Sequence, residues 1–272
     1  MKVITSRENP FVKQLIALAH SSRERKKARL TVLDGIHLVR AYTDALGAVH
    51  ALAVAESALN EPEVRALISR HDERHINVLA EPLMAQASSL DSPANVLALV
   101  ATPDASPTPS NASAVLVLED VQDPGNVGSM LRSAAAAGVR EVVLSNTCAF
   151  AWSPKVLRAG QGAHFVLNIN EGVDLVLWLK TFQGQALALV PKASATATTT
   201  PSTTALMTLY KCDLQQSTAL LIGNEGSGLS PELIDAASIK ATIPMPGQME
   251  SLNAAACAAI ALFEMVRQRG CV

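Results

Sequence analysis

The chain has 272 residues, 49% of them apolar and only 3% aromatic, with a formal net charge of −2 at pH 7. That is material for one large or two medium domains, and the composition favours a helix-rich α/β protein over a β-sandwich. No apolar run reaches the ~18 residues that span a bilayer, no signal peptide opens the chain, and the four cysteines (Cys148, Cys212, Cys257, Cys271) show no C-x-x-C pairing, which fits a reducing cytoplasm and no zinc site.

The charge is uneven. Residues 1–40 carry nine basic side chains against three acidic ones, and the densest run is Arg23-Glu-Arg-Lys-Lys-Ala-Arg29. Such a run is ordinarily a solvated helix face; beside a substrate made of RNA it becomes a phosphate-contacting patch. Asn9-Pro10 opens a helix with Phe11, Leu15, Ile16 and Leu18 roughly on one face. Then come a strand at 30–33 ended by Asp34-Gly35, a helix at 36–46 ended by Gly47 and a strand at 49–53. A helix at 63–69, a strand at 76–79, a short helix at 82–87 and a strand at 96–100 complete this part. The alternation predicts a small α/β/α domain over residues 1–100. His71 and His75 lack the H-E-x-x-H pattern and read as surface histidines. Residues 101–114, with three prolines among small polar residues, read as a linker.

A second α/β domain is expected over residues 115–272. The apolar strand 115–118 suits a parallel sheet covered on both faces. It runs into Asp123-Pro-Gly-Asn-Val-Gly128, where Asn126 is a natural N-cap for a helix ending at Gly138. Arg132 flanks that helix's apolar stripe. Strands are expected at 142–145, 165–168, 186–190, 219–222 and 241–243, and the polar, Thr-rich residues 193–205 read as a surface loop.

Two further stretches carry chemistry. Ala219 to Ile222 ends abruptly in Gly223-Asn-Glu-Gly-Ser-Gly-Leu-Ser230, followed by Pro231 and Glu232 at a helix start. A strand, a Gly-rich loop and a helix start form the mouth of an open α/β sheet, where ligands sit. Leu229 stands where a phosphate loop needs lysine, which weakens a nucleotide-triphosphate reading. The other stretch is Ile243-Pro-Met-Pro-Gly-Gln-Met-Glu-Ser-Leu-Asn253. It leads a helix apolar on all sides to Phe263, which calls for a deep core or a subunit interface.

Together, Asp123-Pro-Gly-Asn-Val-Gly128 with Arg132, the Gly223–Ser230 loop and the Ile243–Asn253 segment resemble the three motifs of the SpoU/TrmH RNA 2′-O-ribose methyltransferases of the SPOUT superfamily. Ser6-Arg-Glu-Asn-Pro10, Lys13, the basic run and Leu33-Asp-Gly35 are similar to the ribosomal-protein-like substrate-binding domain often placed before them. The resemblance implies a parallel α/β/α domain with a C-terminal trefoil knot, which general topology rules disfavour. It implies an S-adenosylmethionine pocket in the knot and a homodimer across it. It implies methyl transfer to a ribose 2′-hydroxyl, on 23S ribosomal RNA in preference to transfer RNA; a non-catalytic RNA-binding dimer of the same fold is the alternative.

By the same resemblance Arg132 meets the hydroxyl with Asn126 beside it, Glu225 orients the arginine or the loop, and Ser251 and Asn253 bond the ribose phosphate or hold the knot loop. Gly223, Asn224, Ile243, Met245, Gly247, Leu252 and Val190 hold the cofactor, and no metal is required. Arg7, Lys13, Arg23, Arg25, Lys26, Lys27 and Arg29 contact RNA. Two segments depart from the pattern: residues 92–97, where the family often has a Pro-Gln-Gly-like turn, and the long Thr-rich segment.

Overall fold

The computed structural model describes residues 2–88, 94–191, 206–249 and 251–270. The Thr-rich 193–205 and residues 92–93 of the departing turn lie outside them. The chain divides into two units: Met1–Asp104 with Trp152–Phe165, and Ala105–Ala151 with Val166–Val272.

In the first unit the elements are β1 (Val3–Ile4), α1 (Pro10–His20), α2 (Ser22–Ala28), β2 (Leu30–Asp34), α3 (Ile36–Leu46), β3 (Ala51–Ala55), α4 (Pro62–Ile68), β4 (Ile76–Leu79), α5 (Glu81–Ala87) and β5 (Val96–Ala101). The sheet order is β1-β4-β3-β5-β2. β1, β4 and β3 are parallel, while β5 runs antiparallel to both β3 and β2. β3 is buried at every residue and β5 at all but its last, so helices cover both faces of the centre. α1 starts where the sequence places it, with Asn9 accepting from the Phe11 N–H and Pro10 in the first turn. The basic run folds as its own helix, α2, capped by the Ser21 hydroxyl, which accepts from the Glu24 N–H. β3 begins two residues later than expected, because Val49 belongs to the turn before it.

In the second unit the chain forms β6 (Ala114–Leu118), α6 (Pro124–Ala136), β7 (Glu141–Leu144), β8 (Asn168–Asn170), α8 (Leu175–Leu179), β9 (Gln185–Leu189), β10 (Leu206–Thr208), β11 (Thr218–Ile222), α9 (Pro231–Ala236), β12 (Ile239–Thr242) and α10 (Ala254–Gln268). One helix in this span, α7 (Pro154–Gly160), belongs to the first unit and packs on β2. The expected continuous 115–272 domain is thus interrupted at 152–165.

The sheet order is β10-β12-β9-β11-β6-β7-β8, with every adjacent pair parallel. β6 and β11, side by side at its middle, are buried at all five positions each. The strand expected at 165–168 is instead a 3₁₀ turn at Ala163–Phe165 followed by β8, since the Phe165 ring is drawn edge-on against Tyr42 at 5.3 Å. Residues 102–113 hold no regular element, yet they are tied down: Asn168 Nδ2 donates to the Ser106 carbonyl at 2.8 Å and Asn168 Oδ1 accepts from its N–H.

α10 buries Ala258, Ala261, Leu262 and Met265 and packs against α6. Its opposite face carries Ala256, Ala259, Ile260 and Phe263, spaced i, i+3, i+4, i+7, with Phe263 49% exposed. The helix that is apolar on all sides is therefore covered on one side only within a single chain. No helix among the described residues is long and apolar enough to cross a membrane.

Candidate active site

The β11–α9 turn is built by close backbone approach. A Cβ on Gly223 would stand 2.2 Å from the Gly228 carbonyl carbon and 2.3 Å from the Leu229 nitrogen, so only glycine fits. Asn224 and Gly228 exchange two backbone hydrogen bonds of 3.0 Å, and Gly228 takes φ +73° to close the turn. The Asn224 side chain is spent on the loop. Its Oδ1 accepts from the Gly226 and Ser227 N–H groups, and its Nδ2 donates to the Asp120 carbonyl at 2.8 Å. Ser230 caps α9 by accepting from the Leu233 N–H. Glu119, the first residue after β6, accepts from both the Ser230 N–H and the Ser230 hydroxyl at 2.7 Å. Sequence reasoning passed over Glu119 and Asp120, although their place just past a buried parallel strand marks the ligand-bearing edge of the sheet.

This turn walls a cleft at the C-terminal ends of β9, β11 and β12. Of the seven expected cofactor residues, Val190, Gly223, Asn224, Ile243, Met245 and Leu252 line it. Gly247 does not; it is exposed, with nothing within 4 Å of the position a Cβ would take. Glu225 and Ser251 also line the cleft, and so do Pro191 and Cys257, which sequence reasoning missed. Burial pushes the Cys257 thiol above its ordinary pKa, so it stays protonated beside the cleft at neutral pH. Among the described lining residues Glu225 is the one charged side chain; no lysine, arginine or histidine is present.

Beside the cleft three of the expected catalytic residues meet, from three separate segments. Asn126 Nδ2 donates to Glu225 Oε1 at 2.9 Å, and Asn253 Nδ2 donates to Asn126 Oδ1 at 2.9 Å. The Glu225 carboxylate also accepts from the Asp123 N–H at 3.3 Å and the Gln122 N–H at 3.5 Å. Asn253 caps α10, its Oδ1 accepting from the Ala255 and Ala256 N–H groups, which fixes which way its amide faces.

Asn126 is not the helix cap. α6 starts three residues earlier, with Pro124 in the first turn and Asp123 Oδ1 accepting from the Asn126 N–H at 2.8 Å. Because Asp123 does the capping, the Asn126 side chain is released for Glu225 and Asn253.

Arg132 stands apart. Six residues beyond Asn126 on α6, it points about 120° away round the helix. It is exposed and finds no side-chain partner among the described residues. Within one chain it makes no hydrogen bond to the Asn126–Glu225–Asn253 group among the described residues.

The expected RNA contacts divide. Arg7, Arg23, Lys26 and Lys27 are exposed, the last three at i, i+3, i+4 on α2. Arg25 is buried, and its guanidinium donates to the carbonyls of Leu18 (2.6 Å) and Ala19 (3.1 Å) at the end of α1. It is a structural residue, not a phosphate contact. Lys13 pairs with Glu8 and Arg29 with Asp104. Among the described residues no group of three or more His, Cys, Asp or Glu could hold a metal ion.

A parallel sheet with a glycine-rich turn over a cleft at its strand ends is the layout of a ligand-binding α/β protein, and Leu229 in place of the lysine sets it apart from a phosphate-loop protein. Residues 113–263 match the SpoU rRNA methylase family model, and residues 9–98 match the MRM3-like substrate binding domain. The chain belongs to the SpoU rRNA methylase family. It is 34% identical over 267 residues to an uncharacterized tRNA/rRNA methyltransferase of Synechocystis sp., covering 98% of this chain and 94% of that protein. It is 29% identical over 265 residues to the 23S rRNA (guanosine(2553)-2′-O)-methyltransferase of Bacillus subtilis, covering 97% and 99%. The crystal structure of AdoMet-bound rRNA methyltransferase from Sinorhizobium meliloti superposes with a TM-score of 0.79 at 27% identity, over 98% of this chain and 97% of that one.

Proposed function

We propose that this SpoU-family methyltransferase transfers a methyl group from S-adenosylmethionine to a ribose 2′-hydroxyl of RNA, with 23S ribosomal RNA as substrate. The observation that carries this reading is the cleft at the Gly223 turn, with the Asn126–Glu225–Asn253 chain at its side. The residues present fit the cofactor. Apolar walls from Val190, Ile243 and Leu252 suit an adenosine, and a single carboxylate with no opposing cation suits a positively charged sulfur.

When bound, the cofactor supplies an electrophilic methyl carbon. The methyl would pass to the ribose oxygen, the cofactor's sulfur would leave as a neutral thioether, and the hydroxyl proton would go to water. The protein positions the hydroxyl and stabilises the charge that develops on its oxygen. Glu225, fixed by two backbone N–H groups and Asn126, holds the α6 start against the cofactor turn. Asn253 braces Asn126 from the end of α10. Arg132 serves by stabilising the developing alkoxide.

Because Arg132 faces away from Asn126 on its own helix, the reading assigns it to the cleft of a second copy. The Ala256-Ala259-Ile260-Phe263 stripe, exposed at Ala256 and Phe263 and half-buried between them, supports a homodimer through α10. Threading of the C-terminal segment as a trefoil knot belongs to the same reading, and β12 lying between β9 and β10 supports it.

The test is calorimetry with S-adenosylmethionine together with methyl transfer to unmodified 23S rRNA. Arg132→Ala is expected to bind cofactor as the parent does and to lose transfer by about 10²-fold or more, the scale of removing one charge-stabilising donor. Undiminished transfer by that variant removes Arg132 from the mechanism. Absence of cofactor binding by the parent defeats the reading as a whole.

A further inference from the structure

The segment 152–165 lies inside the methylase match, yet it packs with the first unit. It is held there at several points. The buried Thr31 hydroxyl donates to the Trp152 carbonyl at 2.6 Å, the Phe165 ring meets Tyr42, and Pro154, Val156 and Leu157 are buried. Ser153 caps α7 by accepting from the Val156 N–H. What this fixed platform exposes is narrow: between Pro154 and Gln161 the exposed residues are Lys155, Arg158 and Gln161, spaced by three. Neither cation has a hydrogen-bond or ion-pair partner among the described residues.

Arg158 and Gln161 line a cavity of about 260 Å³ whose other wall is the start of α3, with Gly35, His37 and Leu38. No side chain caps α3, so its first N–H groups are also available there. Asp34 is on the inner wall, with Oδ2 accepting from the Ser88 hydroxyl at 2.8 Å. An arginine with no acidic partner, held over a cavity that also receives free N–H groups, is chemistry for an anion.

We propose that Arg158, with Lys155 on the same face of α7, binds backbone phosphates of the RNA substrate at this cavity. The inference rests on the RNA methyltransferase reading and adds to it a site from the second half of the sequence, apart from the basic run of α2. Phosphate contacts release counterions, so each one steepens the salt dependence of binding.

The experiment titrates a fluorescent 23S rRNA fragment with full-length protein by anisotropy over a salt series. It compares the parent with Arg158→Ala, Lys155→Ala and Arg158→Lys, and checks each variant's circular dichroism and cofactor binding. The expected result is several-fold weaker binding for each alanine variant. The slope of log affinity against log salt becomes shallower by about 0.7–0.9, cofactor binding is unchanged, and Arg158→Lys retains most of the slope. Affinity and slope like the parent's in both alanine variants overturn the proposal while leaving the enzyme reading intact. A parent that binds this RNA without salt dependence, or not at all, overturns both.

Discussion

Replacing Gly223 by alanine puts a methyl carbon 2.2 Å from the Gly228 carbonyl carbon, 2.3 Å from the Leu229 nitrogen and 2.4 Å from the Gly228 oxygen. Non-bonded carbons rest at about 3.5–4.0 Å, so this backbone must retreat by more than ~1 Å. All three atoms are main chain, and no flexible side chain can swing aside. The retreat breaks the paired Asn224–Gly228 hydrogen bonds, each worth about 0.5–1.5 kcal/mol. Overpacking adds about 1–3 kcal/mol, for a total of about 2–6 kcal/mol. The displaced turn also walls the cleft proposed to take S-adenosylmethionine, so on that reading affinity should fall about tenfold or more, which is 1.4 kcal/mol of binding energy. Urea unfolding and calorimetry read the two effects. Gly247→Ala is the control: with nothing near its Cβ position, it should stay within about 0.5 kcal/mol of the parent. A Gly223→Ala protein with the parent's midpoint and cofactor affinity would refute the account of the turn.

Three further outcomes are expected. Asn126→Asp sets a second carboxylate against Glu225, where Nδ2 now donates at 2.9 Å. The lost amide donor and the facing like charges should loosen the α6 start and lower transfer several-fold; transfer at the parent's rate contradicts this. Arg25→Met removes two charge-assisted bonds to buried carbonyls, each worth about 1.5–3 kcal/mol, and should cost about 3–6 kcal/mol in urea unfolding. Arg23→Ala and Lys27→Ala should move stability by less than about 0.5 kcal/mol and weaken RNA binding instead. Hydrogen bonds from Arg267 hold the buried Glu264 carboxyl below its ordinary pKa. Its contribution is therefore complete above the unfolded value of about 4.3 and is lost as pH falls through the lower folded one. Glu264→Gln should flatten that acid limb of the stability curve.

What could be read from the sequence was local. Asn9-Pro10, Ser230-Pro231 and Gly47 mark helix ends by fixed chemistry, and the structure places them as expected. Buried parallel strands such as Leu220 to Ile222 announce themselves as unbroken apolar runs. Two of the three motifs carry residues that line the cleft, and six of the seven residues expected to hold a cofactor line it. The failures are of two kinds. At α6 two Asx residues compete for the cap, and Pro124 decides for Asp123 because proline suits the first helical turn; Asp-Pro-Gly is equally good turn chemistry, which shifts the expected cap to Asn126. Arg25, buried among exposed cations on a helix of only seven residues, leaves no periodic trace. Nor does any pattern announce that 152–165 returns to the first unit, since that follows from contacts between Thr31 and Trp152 and between Tyr42 and Phe165, distant in sequence.

The central claim is that the acceptor is a ribose oxygen. Purified protein should be incubated with S-adenosylmethionine carrying a labelled methyl group and unmodified 23S rRNA, and the RNA digested to nucleosides for mass spectrometry. The account predicts label on the sugar, in a single 2′-O-methylnucleoside, and none with Glu225→Ala. Label on a base, or in no nucleoside while the cofactor binds, would contradict it.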